Sequence, residues 1–263
     1  MTKGTEILWS IEDRKGIDGR ALDPHRIEVL EDMLHSLFGA KVIIQSLTQL
    51  PSKKNIVLHL VLFDAKSGNI SIVAKLFVAE SFEIERDALL LACEKKLKVP
   101  SVLAAQNGVI LMDHVDGVPL VDVINDRFDL SPVDTLAQWY YSFHRETGHV
   151  KGDPRLRNFL YSNGTIYGID FEEYRHAHWM EDIGGIAASF LDTRPVFDVR
   201  KRRLSWHLLE KYLSLTDETR NKDTDTYFTE TIAVTLEKTA QWRDDRQILK
   251  LSERVRQHGL PAD

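Results

Sequence analysis

The chain turns from strand-rich to mainly helical near Asp116–Gly117, and that change limits the folds open to it. Ahead of it, three β-like runs follow closely on one another: KVIIQSLTQL, NIVLHLVLFD and NISIVAKLFVA. PSKKN separates the first two, and AKSG is a hairpin signal between the second and third. ESFEIERDALLLACEKKLK then has helical spacing, with Ile84, Ala88, Leu91 and Leu97 roughly on one face. VPSVLAAQNGVILMDHVDG adds two short strands around an Asn-Gly turn. Upstream of all these, DPHRIEVLEDMLHSLFG reads as a helix. Asp23 caps it, Pro24 suits the first turn, Gly39 ends it, and Ile27, Leu30, Met33, Leu34 and Leu37 form its stripe. This order predicts a mostly antiparallel five-stranded sheet with one packed helix. Beyond DGVPL the period is helical. SPVDTLAQWYYSFHRETG has Ser131 as its cap and Pro132 at its start. MEDIGGIAASFLD, PVFDVRKRRLSWHLLEKYLSL, TDTYFTETIAVTLEKTAQWRDD and RQILKLSERVRQHG continue the helical reading. One short hairpin, NFLYSNGTIYGID, interrupts it on Asn163-Gly164.

Composition narrows the function classes. The 263 residues suffice for one large domain or two lobes, each with its own core. A net charge of −6 argues against general nucleic-acid binding. A single cysteine, Cys93, excludes an intramolecular disulfide and fits a reducing cytoplasm. The N-terminus carries charge throughout with no apolar core, so no signal peptide is expected. No apolar run approaches the roughly 18–20 residues that span a bilayer.

The chemistry concentrates in VKGDPRLRNFLYSNGTIYGIDFEE, residues 150–173. Asp153 lies in a loop, Asn158 ends that loop, a hairpin follows, and Asp170 stands where the returning strand stops. If NFLY pairs with IYGI, Asn158 and Asp170 meet at one end of the ribbon. A carboxylate beside an amide oxygen is a hard-oxygen site for Mg²⁺, completed by water and phosphate. Asp153, one loop away, is placed to orient a hydroxyl and accept its proton. Arg155 and Arg157 add positive charge where a phosphoryl group passes.

D-x-x-x-x-N followed by a hairpin and IDF resembles the catalytic and metal-binding segments of the protein-kinase-like superfamily. The aminoglycoside and choline phosphotransferase-like branch, with its IDFE, is the most similar. VPSVLAAQNGVILMDHVDGVPL is similar to that branch's inter-lobe hinge, and MEDIGGIAASFLD to its following helix, with Asp182 near the start. The resemblance spans about residues 41–192. It implies a bilobal α+β kinase-like fold: an N-terminal extension with a helix over 1–40, a nucleotide-binding N-lobe over 41–116, and a mainly helical C-lobe over 117–263. It implies ATP and Mg²⁺ as cofactors and transfer of the γ-phosphate to a hydroxyl of a small molecule. Lys75 in SIVAKLF takes the place of the phosphate-gripping lysine, held by Glu85 or, as second choice, Glu83. Asp113 and Val115 offer backbone groups to adenine, Met112 lines that pocket, and Lys53 or Lys54 caps the phosphates. Asn158 and Asp170 hold the metal, Asp153 acts on the acceptor, and Arg155 neutralises developing charge.

The chain departs from the family in four places. Lys151 stands where a His is usual, and His149 lies two residues further back. QLPSKKNIV has no glycine, DFE replaces DFG, and no APE-like segment follows. These departures point to a small-molecule kinase rather than a regulated protein kinase. An atypical Ser/Thr protein kinase and a non-catalytic ATP sensor are the alternatives. Bland readings stand beside the sharp ones. Lys75 is also what an edge-strand gatekeeper looks like. His176 and His178 lack the further ligands of a zinc site. Arg200–Arg203 read as a solvated helix face, and Trp139, Tyr140 and Tyr141 as core.

Overall fold

A computed structural model describes residues 5–11, 13, 15, 19–64, 68–78 and 81–261. The chain divides into two compact units. One comprises the residues up to Cys93 together with Pro100–Val115, the other Glu94–Val99 together with everything from Asp116 onward.

Among the described residues, the first unit is a five-stranded antiparallel sheet with two α-helices and a short 3-10 helix, Glu6–Ile11. Its strands are β1 (Ile43–Leu50), β2 (Ile56–Asp64), β3 (Gly68–Leu76), β4 (Val102–Gln106) and β5 (Val109–Asp113), in the order β1-β2-β3-β5-β4. Every neighbouring pair is antiparallel, as the strand order and turn signals predict. Asn107 and Gly108 join β4 to β5 with φ of 45° and 78°. Such a two-residue hairpin needs positive φ at both positions, which Asn and Gly tolerate best. The other expected turn, AKSG, lies outside the described residues except for Gly68.

Helix α1 (His25–Phe38) ends at Gly39, whose N–H returns to the His35 carbonyl. Asp23 Oδ1 accepts from the His25 N–H at 3.0 Å, so its carboxylate serves the first turn. The α1 stripe buries Ile27, Leu30, Met33 and Leu34 against β1–β3 and β5, but Leu37 is 43% exposed.

Helix α2 (Phe82–Glu94) corrects the sequence reading. Its buried face is Phe82, Glu85, Ala88, Leu89 and Ala92, while Ile84 is exposed and Leu97 lies beyond the helix. The physical reason is Glu85. Pairing with Lys75 turns a carboxylate inward, and the apolar positions on its side follow it into the core. Lys75 is no edge gatekeeper either, because β3 runs between β2 and β5.

The second unit is mainly helical. After a two-residue strand β6 (Val118–Pro119) come α3 (Leu120–Arg127) and α4 (Leu130–Thr147). Neither β6 nor α3 was expected from the sequence. Helix α4 starts one residue ahead of Ser131, after the extended backbone of Asp129, so Ser131 is inside the first turn and not its cap. Its buried face includes Val133, Leu136, Ala137, Tyr140 and Phe143, and Trp139 Nε1–H donates to the Lys98 carbonyl at 2.8 Å. The hairpin forms as β7 (Phe159–Ser162) and β8 (Thr165–Gly168), with β6 alongside in the order β6-β7-β8.

Helices α5 (Met180–Leu191), α6 (Val199–Leu213), α7 (Lys222–Arg243) and α8 (Arg246–His258) complete the unit. Helix α5 is buried on every side except at Glu181, as befits a helix at the centre of a bundle. In α6, Lys201 corrects the solvated-face reading of Arg200–Arg203. It is fully buried, and its Nζ–H groups reach the Thr193 carbonyl at 2.7 Å and hydroxyl at 2.8 Å.

Candidate active site

In the sheet unit, Lys75 Nζ lies 2.6 Å from Glu85 Oε2, and both residues are buried. Glu83 is exposed, so Glu85 is the lysine's partner. A buried ion pair is retained only when both charges are compensated, and removing one partner typically costs about 3–5 kcal/mol.

Lys53 and Lys54 are exposed on the connection before β2. The glycine-free connection is tied down by Asn55. Its Oδ1 accepts the Val78 N–H at 2.9 Å, and the residue is only 2% exposed. At the other end of the sheet, buried Met112 pairs with Val73 across β3 and β5. The Asp113 N–H is committed to the Ser101 carbonyl at 2.9 Å. That donor is therefore already spent within the sheet unit.

The loop that follows α4 is held from beneath by α5. Lys151 N–H and Gly152 N–H donate to the two oxygens of the Asp182 carboxylate at 2.7 and 3.1 Å. His144 Nε2 lies 3.0 Å from Asp182 Oδ2, and His144 Nδ1 lies 2.9 Å from the Tyr212 hydroxyl. An ionised carboxylate only accepts, so in the neutral ring Nε2 carries the proton and Nδ1 accepts from Tyr212. One helical turn on, Gly185 faces Pro154. A Cβ there would sit 2.2 Å from Pro154 Cγ. One further turn on, Ser189 Oγ accepts the Leu156 N–H at 3.0 Å. Asp182, Gly185 and Ser189 recur at helical spacing, so one face of α5 grips the loop at three points.

Gly185→Ala is therefore expected to push Pro154 and with it Asp153 out of place. Overpacking of this kind costs about 1–3 kcal/mol. A thermal melt should register that loss, and turnover should fall further than the melt alone explains.

Asp153 sits in this loop with φ of 35°, after Gly152 with φ of 70°. A Cβ at Gly152 would stand 2.2 Å from the Glu173 carbonyl oxygen, so both φ and close approach demand glycine there. Asp153 Oδ1 accepts from Arg155 Nε–H at 2.8 Å, and Oδ2 accepts from Asn158 Nδ2–H at 2.9 Å. The same Asn158 nitrogen reaches the Asp153 carbonyl at 3.0 Å. With its nitrogen so committed, Asn158 has Oδ1 to offer a cation.

The hairpin returns its strands as its turn predicts: Phe159 pairs with Gly168, and the Ile169 N–H donates to the Asn158 carbonyl at 2.9 Å. Asn158 and Asp170 are thereby brought to one end of the ribbon. An amide oxygen and a carboxylate there fit a hard divalent cation such as Mg²⁺. Lys151, which stands where the family has His, is fully buried. Its Nζ–H donates to the Asp170 carbonyl at 2.7 Å, with the Phe171 and Phe159 rings 5.0 and 5.5 Å away. It joins the Asp153 loop to the Asp170 loop. His149 instead stacks on Tyr174.

Sequence reasoning singled out Asp182 only as a helix start and missed His144, Ser189 and Asn55. The one available signal was an Asp near the start of an otherwise apolar helix. His176 packs near the His149 ring and His178 against Trp179 and Tyr227, so the two imidazoles serve separate contacts.

The sequence matches no protein-family model and none of the curated proteins. The structure does match solved ones. Amicoumacin kinase hAmiN in complex with AMP-PNP, Ca²⁺ and Ami superposes with a TM-score of 0.61 at 12% identity, covering 89% of this chain and 94% of that one. A choline/ethanolamine kinase family protein from Mesorhizobium loti gives 0.61 at 11% identity, covering 87% and 94%. The structure of the gentamicin-APH(2")-IIa complex gives 0.56 at 12%, covering 90% and 96%. The chain shares the two-unit α+β fold of these solved structures.

Proposed function

We propose that the protein is an ATP-dependent phosphotransferase that moves the γ-phosphate to a hydroxyl of a small molecule. The observation that carries this reading is the Asp153 loop. Asp182, Gly185 and Ser189 hold a loop on which a carboxylate, an amide and Arg155 are bonded to one another, beside a second carboxylate delivered by the hairpin. Phosphoryl transfer asks a protein mainly for positioning and charge neutralisation.

Lys75, held by Glu85, grips the α- and β-phosphates. The Asp113 carbonyl and the Val115 backbone receive adenine against Met112, and Lys53 or Lys54 caps the phosphates. Asp153 orients the acceptor hydroxyl. As the acceptor oxygen bonds to the γ-phosphorus and the bond to the β-bridging oxygen breaks, Asp153 takes the hydroxyl proton and ADP leaves. Arg155 neutralises charge on the moving group. Asn158 and Asp170 would hold Mg²⁺, which would neutralise phosphate charge.

Calorimetric titration of ATP with and without Mg²⁺ tests this reading. Wild type should bind with Mg²⁺, and Lys75→Ala and Asp170→Ala should each weaken binding by at least about tenfold. Absence of binding by the folded wild type would end the kinase reading. Binding with no transfer to any hydroxyl would favour a nucleotide sensor.

A further inference from the structure

Three guanidiniums gather at the Asp153 loop in the helical unit: Arg155, Arg157 and Arg243. Arg155 is bonded to Asp153 and lies over the Trp242 ring, 5.0 Å from its centre. Arg243, at the end of α7, pairs with Asp192 at 3.1 Å. Arg157 is exposed and makes no hydrogen bond or ion pair with any described residue. Their charges are mutually felt. Desolvation first, and then the charges of Arg155 and Arg243, act against the protonated form of Arg157, opposed by Asp153 and Asp170. Asp192, whose carboxyl burial pushes up, is acted on by Arg243, Arg155, Lys201 and Arg157. Two buried atoms of the cluster, Arg155 Nη1 and Asp192 Oδ1, lack a hydrogen-bond partner. The Trp242 side chain beside them is 52% exposed.

Asp153 matches Arg155 and Asp192 matches Arg243, so Arg157 and the buried Arg155 Nη1 are the cluster's unspent donors among the described residues, and such donors invite an anion. In the reading above, the nucleotide phosphates are met by Lys75, the metal site and Arg155. Arg157, on the loop that presents the base, is left over, and Arg243, on the helix next to it, is matched among the described residues by Asp192. Guanidinium groups favour planar, bidentate anions.

We infer that the acceptor is itself anionic: a hydroxyl-bearing carboxylate or phosphate ester whose negative group seats on Arg157 and Arg243 beside Trp242, with its hydroxyl at Asp153. This inference rests on the kinase reading. It makes Arg157 and Arg243 specificity determinants, distinct from the groups that hold ATP.

The test is calorimetry on protein saturated with Mg²⁺ and AMP-PNP, so that the nucleotide phosphates are already in place. Glycerate and glycerol 3-phosphate are compared with glycerol and choline. The anionic probes should bind and the other two should not, and the stronger of the two anions distinguishes carboxylate from phosphate recognition. Arg157→Gln should weaken anion binding by at least about tenfold while changing AMP-PNP affinity less than about twofold. Because Arg157 has no structural partner, its loss should leave the fold intact. Arg243→Gln should act alike, with Arg243→Gln/Asp192→Asn as the control that removes the stranded carboxylate. Preference for choline or glycerol, or no binding by any probe, would overturn the inference. So would equal loss of AMP-PNP binding in Arg157→Gln, since the cluster would then serve the nucleotide. Anion binding by a wild type that does not bind AMP-PNP would refute the kinase reading and keep the anion site.

Discussion

Asp153→Asn is expected to reduce turnover by about 10²–10⁴-fold, the usual contribution of a positioned general base, with ATP affinity changed less than about twofold. The substitution conserves shape but not function. An amide cannot take the acceptor's proton, and its NH₂ would face the donating Nδ2–H of Asn158 or the Nε–H of Arg155. One acceptor oxygen survives, so the loop should keep its course between Gly152 and Asn158. The measurement is steady-state ADP release with a hydroxyl acceptor that wild type turns over, alongside AMP-PNP titration. A variant that keeps more than about a tenth of the wild-type kcat would remove Asp153 from the role of base.

Asp182→Ala should have the largest effect on stability. The carboxylate is fully buried and accepts from two backbone N–H groups and from His144. Alanine strands all three donors, and also leaves the Tyr212–His144 bond without its anchor. Breaking a buried charged network typically costs about 3–5 kcal/mol. For a chain of this size each kcal/mol lowers Tm by about 2–4 °C, so a fall of roughly 10 °C is expected. Asp182→Asn should lose less, because it preserves one acceptor oxygen. Differential melts of both variants, with Ser189→Ala as the single-bond comparison, provide the ranking. A fall of less than about 1 kcal/mol in Asp182→Ala would mean that the loop is held from elsewhere.

The sheet was legible because its information is local. Asn107-Gly108 and Asn163-Gly164 each demand positive φ at adjacent residues, and the alternation on either side sets which strands pair. The neighbourhood of Asn158 and Asp170 was legible for the same reason. A tight hairpin must return its ends to one place. Lys75 showed itself as a lone cation in an apolar run, and the resemblance to the kinase-like branch implied that the helix after β3 supplies its partner.

Other features depend on contacts between distant residues. The apolar count on α2 favoured a face through Ile84, but pairing with Lys75 turned Glu85 inward and rotated that face. Lys151 looked like a lost histidine. Only folding showed a buried ammonium with the Asp170 carbonyl in front and two phenylalanine rings around it. Lys201 lay in a basic run that resembles a wet surface, yet the Thr193 backbone takes it into the interior.

The chain's order of elements, its two Asn-Gly turns and the short spacing from Asp153 to Asn158 to Asp170 follow from periodicity and turn chemistry, which act over a few residues. The grip of α5 on the Asp153 loop joins residues up to 33 positions apart, and the arginine cluster draws Arg243 to Arg155 and Arg157 from the far end of α7. No residue pattern announces such pairings. They exist because a buried donor or charge must find a partner, and which partner is within reach depends on how the helices pack.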